Sequence, residues 1–472
     1  MESVVGFLCD IVFFNVFRLF GLGEQINLPI TMALLLFGYI FVMMRLNFIQ
    51  FTKFGKCLSL TFGKPKGKNK KEKQISSPLK TLLTSIASCT GMNATAGVVF
   101  MIFAGGVGTV FWIPFIAFGC MAFRFAEVYL SHHYRAEKID NNAIGGPFDY
   151  IKKGLAEIKI GKFKFNKIGK RLAVLYAFVM VAAGVFGVSM YEMNQSVVVL
   201  ERGFSFLEGK RLLLSCIFTI IALFVILGGT KRVANFMSVA LPILSISYLT
   251  ISIVVIAYNY QMLPDAFIAI YQDAIHPKAI AGGFLASFCM CARKCALSHE
   301  TGLGTSGIVH ALSSEKDSIK EATRAMMTPL ITGLIICMAT ALVLITTGVY
   351  NNPEVMKDGV PALTEAFGGV CWLFSYLIII IIPMFTINVM IGWSNYCVKC
   401  IKYIKNNKQI TYIALFLFFI CAFTGGIIDD FTLIMNLVDA LLMVILIINV
   451  PVVMLLSGKV KQAVKEYNFK KA

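Results

Sequence analysis

Long apolar runs recur along the chain, and the connections between them are alternately basic and neutral or acidic. Runs of about 18 or more residues are long enough for a helix to cross the hydrocarbon core of a bilayer. The pattern predicts eleven spans, at 28–48, 80–105, 108–131, 172–200, 211–228, 233–257, 279–312, 323–349, 370–397, 410–425 and 431–456. A transmembrane β-barrel would instead show alternating runs of about ten residues. Ahead of the spans, Val4 to Phe20 is apolar but holds Asp10 and Arg18, with neither a basic leader nor a clear small-residue cleavage site. It reads as an interfacial amphipathic helix rather than a signal peptide.

Two runs interrupt themselves. In the first, Gly91 and Gly97 weaken a helix, and Thr90, Asn93 and Thr95 put polar atoms between them. In the second, 279–312, apolar residues give way to Arg293, Lys294, Ser298, His299 and Glu300, then Gly302, Gly304 and Gly307, before apolar sequence resumes. With span 28–48 set aside, the other ten form two groups of five, each beginning with its interrupted helix. Paired breaks at matching positions of two halves are the best sequence pointer to a transporter built from inverted repeats. Unwinding a helix in lipid frees N–H and C=O groups that must be satisfied. A carboxylate suits a half-helix N-terminus, and a cation or ammonium suits freed carbonyls. A zwitterionic amino acid with a small cation fills both roles. Close helix packing is the competing reading of a single glycine-rich run, and for Gly105-Gly106 a turn or packing contact is the better one.

Composition agrees with a membrane protein: 58% hydrophobic and 14% charged, with mean hydropathy +0.78, where soluble domains carry about 25% charged residues. Net charge +18 does not point to nucleic acid, because the basic residues lie in loops: 52–80, 132–171, 229–232, 399–408 and the tail after Lys459. The positive-inside rule explains them, and it places the N-terminus outside and the C-terminus in the cytoplasm. For the lysine-rich loop 52–80, contact with anionic lipid and a plain retention signal are equally good explanations. Most of the thirteen cysteines fall in spans, where Cys acts as a small hydrophobe. Cys397-Val-Lys-Cys400 lacks a thioredoxin-like context, and His299-Glu300 lacks the second His of a zincin helix, so no transition-metal site is expected. The expected organisation is 1–79 (interfacial helix, extra span, basic loop), 80–257 and 258–456 (two five-helix repeats) and 457–472 (basic tail).

Several ordered stretches resemble the alanine or glycine:cation symporter family of bacteria and archaea. Arg45-Leu-Asn-Phe-Ile-Gln50 is similar to the end of its extra first helix, and Gly97 to Arg135 to its second motif, with Gly145-Gly146-Pro147 following. Gly229-Thr-Lys-Arg-Val233 and Pro242 through Tyr248 resemble its fifth core helix. Ser298-His-Glu-Thr-Gly-Leu-Gly304 resembles its most specific motif, Ser-Asn-Glu-Ala-Gly-Leu-Gly, and Gly392-Trp393-Ser394, Asp439 and Asn449 continue the match. The resemblance implies an all-α LeuT-type fold with two discontinuous helices, sodium-driven uptake of alanine or glycine, no cofactor, and a bacterial or archaeal inner-membrane location. The departures cluster at the implied site. The family's Gly and Asn fall on Asn93 and Ala94, its Gln on Glu192, its Ser-Thr pair on Asn388 and Val389, and its Asn on His299.

The candidate substrate-binding residues are Gly91, Met92, Asn93, Glu192, Leu297, Ser298, His299 and Trp393; the candidate cation ligands are Ala87, Thr90, Asn388 and Val389; Glu300, Gly302 and Gly304 are expected to support the second break. An intramembrane carboxylate such as Glu192 is a functional hypothesis by default. It can face a substrate ammonium or carry a proton, and pairing with Arg or Lys at a helix end is the bland alternative. His299 ionises nearest neutral pH and opens proton coupling or pH gating. Glu300 is expected to brace unwound backbone. Trp393 limits the pocket to small side chains or serves packing. Arg293 and Lys294 serve as supports or touch substrate, Glu127 and Arg124 pair with each other, and Asp439 belongs to a structural polar stripe. The expected partners are a small amino acid, sodium (a proton as the alternative) and the bilayer, with no nucleic acid. No nucleophile–base set suggests an enzyme. A non-transporting sensor or scaffold of the same fold is the rival class.

Overall fold

The computed structural model describes residues 2–20, 28–62, 77–135, 145–160, 163–227, 229–275 and 284–469. The lysines at 64, 66, 68, 70, 71 and 73, the middle of loop 132–171, and the start of the predicted span at 279–283 lie outside these residues. The chain is a helical assembly. In order its main elements are α1 (Glu2–Val12), α2 (Ile30–Arg45), α3 (Phe54–Phe62), α4 (Pro78–Cys89), α5 (Ala96–Gly105), α6 (Ile113–His133), α7 (Asn166–Ala182), α8 (Ser189–Gly203), α9 (Arg211–Leu227) and α10 (Gly229–Tyr258). There follow α11 (Leu263–Ile275), α12 (Phe284–His299), α13 (Thr305–His310), α14 (Ser318–Ala325), α15 (Met338–Thr346), α16 (Val360–Gly368), α17 (Trp372–Ile404), α18 (Lys408–Ile427) and α19 (Phe431–Glu466).

Among the described residues, six continuous helical stretches are long and apolar enough to cross a membrane: Val107–His133, Asn166–Gly203, Ser318–Thr346, Trp372–Ile404, Lys408–Ile427 and Phe431–Glu466. Ile30–Arg45, Ala96–Gly105 and Arg211–Phe224 are shorter apolar helices. The segment after 257, read from sequence as a connection, carries α11, which bends by 74° from the second half of α10. Two short antiparallel strands, β1 (Lys159–Ile160) and β2 (Phe163–Lys164), are the only strands among the described residues, which are otherwise helical.

Lipid explains which faces stay uncovered. On α18, Tyr412, Ile413 and Phe416 are exposed, and only 28% of the apolar window is buried. A helix apolar all round is stable in this setting because hydrocarbon, not water, meets its outer face. The inner face of α18 meets α8 closely. A side chain at Gly425 would overlap the Met190 backbone, so the glycine lets the two helices approach.

Local sequence sets the two breaks. Ser77 caps α4 by accepting from the Lys80 amide at 3.3 Å, with Pro78 at the first helical position. At the far end the Thr90 hydroxyl bonds back to the Ile86 carbonyl at 2.9 Å, and the Gly91 amide turns to the Cys89 carbonyl at 3.1 Å. A single 3-10 turn, Met92–Ala94, leads into α5. The second break runs from Glu300 to Gly304, where Glu300, Gly302 and Gly304 have φ of +52°, +90° and +84°. Glycine adopts this left-handed region freely, whereas a residue such as Glu300 is held there by its surroundings.

Candidate functional site

The two breaks meet. Ser298 Oγ donates to the Asn93 carbonyl at 2.6 Å, Cys89 Sγ donates to the His299 carbonyl at 3.5 Å, and the Ser85 and Ser306 hydroxyls lie 2.8 Å apart. Tyr396 on α17 donates to Ser88 Oγ at 2.6 Å. These contacts fix the first broken helix against the second and against α17.

Glu192 reaches this junction from α8, just after a π-helical turn at Ala183–Val188. Both its carboxylate oxygens accept from the Met92 amide, at 3.2 and 3.3 Å, and Oε2 accepts from Thr386 Oγ1 at 3.2 Å. Among the described residues no ion pair reaches Glu192, so pairing with Arg or Lys does not account for it. The carboxylate also explains Gly91, where a Cβ would lie 2.8 Å from Glu192 Oε1 and overlap a Val389 methyl.

Between these groups lies a cavity of about 10 Å³, bordered among others by Asn93, Glu192, Leu297, Glu300, Val389 and Trp393. That is room for about one water molecule, so the centre is closed in this conformation. Trp393 Nε1 donates to Glu300 Oε1 at 2.6 Å and so holds the indole against the cavity. Glu300 thus braces a ring on α17, in place of the backbone N–H groups expected from sequence.

Other side chains hold the second break. The His299 carbonyl accepts from Arg124, the Thr301 carbonyl from Tyr39 at 3.0 Å, the Gly302 carbonyl from Asn449 at 2.8 Å, and the Leu303 carbonyl from Tyr176 at 2.5 Å. Four carbonyls freed by unwinding are thereby satisfied without water. Asn449 also donates to Glu127 at 2.8 Å and accepts from Tyr150 at 2.5 Å. The expected Arg124–Glu127 ion pair is absent among the described residues, because each group turns instead to the break or to Asn449.

The structure gathers Gly91, Asn93, Glu192, Leu297, Ser298, Val389 and Trp393 of the predicted substrate and cation residues at this junction, with Met92 contributing its amide. The His299 ring turns away: Nδ1 lies 3.3 Å from Thr332 Oγ1, and the ring packs where a side chain on Gly333 would collide with it. Thr90 spends its hydroxyl on Ile86, and Asn388 donates to the Met384 carbonyl at 3.1 Å while its own carbonyl oxygen is buried without a hydrogen bond. Ala87 is fully buried. Gly302 and Gly304 shape the second break as expected. Sequence reasoning missed Ser88, Cys89, Val188 and Leu442 at the cavity, and Thr386 at Glu192. A signal for Thr386 was present: it precedes Val389 by three and Trp393 by seven residues, one face of a helix.

Two discontinuous helices crossing at a small buried centre define a transporter architecture, and the fold matches a solved one. MhsT in complex with L-phenylalanine superposes with a TM-score of 0.58 at 12% identity, covering 83% of this chain and 98% of that one. The chain belongs to the sodium:alanine symporter family, whose model matches residues 19–472. Its relatives include the sodium/alanine symporter AgcS of Methanococcus maripaludis, 28% identical over 93% of this chain and 94% of that protein. The probable sodium/glutamine symporter GlnT of Bacillus subtilis is 26% identical, over 94% and 88%. Membership makes this chain a multi-pass membrane protein in a family of amino-acid symporters, which are transporters and not enzymes.

Proposed function

We propose that the chain takes up a small neutral amino acid, alanine or glycine, by sodium symport across a bacterial or archaeal inner membrane. The observation that carries this reading is the meeting of the two breaks on one closed cavity whose apolar walls, Leu297, Val389, Trp393 and Leu442, leave little space for a side chain. Relatives are named for both alanine and glutamine, and the apolar walls with the buried Trp393 ring favour the smaller. Gly91, Met92, Asn93, Leu297, Ser298 and Trp393 surround the substrate, with Glu192 facing its ammonium and the His299 backbone supporting the break. The resemblance implies sodium on carbonyls near Ala87 and Thr90, with Asn388 and Val389.

In this reading eleven spans form one extra helix and two inverted repeats of five, 80–257 and 258–456, rocking about the site. The N-terminus is outside and the C-terminus cytoplasmic, as the basic loops favour. A second reading, proton coupling, draws on Glu192, a buried carboxylate with only neutral hydrogen-bond donors. The test is uptake of labelled alanine into proteoliposomes under an inward sodium gradient, an inward proton gradient, or neither. Accumulation that needs sodium supports the first reading, and accumulation with protons alone supports the second. No accumulation under any gradient overturns the alanine assignment and leaves transport of another amino acid, to be screened next, or the non-transporting rival.

A further inference from the structure

Two carboxylates border the central cavity, and neither has a cationic partner there. Glu192 is 1% exposed and Glu300 4%. Glu192 accepts from an amide and a hydroxyl, Glu300 from an indole with the Thr305 hydroxyl and Cys89 thiol beside its carboxylate. Glu300 Oε2 and Asn93 Oδ1 are buried with no hydrogen bond of normal geometry among the described residues, and both residues line the cavity. Because the Met92 amide turns to Glu192, the carbonyl of Ser88, another lining residue, loses its helical donor four residues on. Acceptor oxygens thus surround a space of about 10 Å³. Such a set suits a hard cation that takes oxygen ligands.

The fixed cations nearby make no ion pair with either carboxylate among the described residues, although Arg124 keeps Nε and Nη1 unpaired and lies within electrostatic reach of Glu300. Arg124 donates to the His299 carbonyl, while Arg293 and Lys294 share Asp439 at 2.6 and 2.7 Å. The position between α4 and α17 offers one unpaired side-chain acceptor, Asn388 Oδ1, and no carboxylate: Val389 presents methyl groups, Thr90 bonds to Ile86, and the Asn388 amide bonds to Met384.

We propose that sodium binds in the cavity between Glu192 and Glu300, with Asn93 and the Ser88 carbonyl as further ligands, rather than between α4 and α17. The inference deepens the symport reading and rests on it, but its test needs no transport. Trp393 is hydrogen-bonded to Glu300, so its fluorescence reports on the cavity. The protein, with Trp112→Phe and Trp372→Phe to silence the other two indoles, is titrated with sodium chloride in nanodiscs at constant ionic strength without amino acid. Potassium chloride is the control, and thermal unfolding over the same titration is the second readout. A saturable sodium response is expected, with its midpoint raised at least tenfold by Glu192→Gln and by Glu300→Gln and moved less than twofold by Asn388→Ala. Two carboxamide variants guard against misfolding of either one. Three outcomes overturn the proposal: a midpoint moved by Asn388→Ala but by neither carboxamide, a response to pH alone, or no sodium effect in either readout. Sodium-driven alanine uptake alongside any of these leaves the transport reading intact and removes only this site.

Discussion

Gly91 has no room for a side chain. A Cβ there overlaps the Val389 methyl and comes within 2.8 Å of Glu192 Oε1. Overpacking of this kind costs about 1–3 kcal/mol, and here it falls on the groups that border the cavity. Gly91→Ala is therefore expected to lower alanine uptake about tenfold or more, and adding Val389→Ala is expected to recover part of it. No recovery in the double variant would place the strain on Glu192 instead. Trp393 poses a different question, because its ring and its N–H do separate jobs. Trp393→Phe keeps an aromatic wall but leaves Glu300 Oε1 without its 2.6 Å donor. A buried acceptor left unsatisfied costs about 1–3 kcal/mol, more when charged. The variant is expected to melt several degrees lower and to accept larger amino acids in competition assays. An unchanged substrate range would show that the indole hydrogen bond does not set pocket size.

At the scale of elements, α12 and α19 are joined by buried charge. Asp439 accepts from Arg293 and Lys294, each three or four residues before the cavity-lining Leu297, while Asp439 itself lies three residues before the cavity-lining Leu442. The cluster therefore sits one helical turn from the site, closing that side of it. Removing one partner of a buried ion pair costs about 3–5 kcal/mol because a charge is left unpaired. Asp439→Asn is expected to lower the detergent melting temperature far more than Asp430→Asn. Asp430 caps α19 from an exposed position, accepting from Leu433 at 2.9 Å, and losing a cap costs about 1 kcal/mol. Equal shifts would mean that water already reaches the Asp439 cluster. Both breaks were legible in sequence because Gly91, Gly302 and Gly304 with polar neighbours contradict an apolar helical pattern. Their partners were not. Tyr39 and Tyr176 satisfy carbonyls 262 and 127 residues away, and no local pattern encodes such pairings. The π-helical turns at Ala183–Val188 and Leu330–Cys337 were hidden as well. One inserted residue barely disturbs an apolar period, yet the first turn aims Glu192 and the second receives the His299 ring.

For the molecule as a whole, the sequence-derived rotation of repeats about a central site requires that the present closed centre open. Cys89 can report on this. It is 4% exposed, lines the cavity, and donates to the His299 carbonyl across the two breaks at 3.5 Å. A conformation that separates the breaks must break this contact and admit solvent, whereas thermal fluctuation of a closed bundle need not. With the other twelve cysteines replaced by Ala, Cys89 is expected to react slowly with a small methanethiosulfonate reagent in the closed form. Reaction is expected to be at least several-fold faster when sodium is replaced by potassium, and slowest with sodium and alanine together, because a ligand stabilises the state that binds it. The ligand must alter the labelling rate without altering the reactivity of an introduced lipid-side cysteine, such as one at Phe416, which is 65% exposed. Cys89 labelling that ignores both sodium and alanine would mean that the breaks do not part during ligand binding. The two-repeat rocking model would then fail, even in a protein that transports.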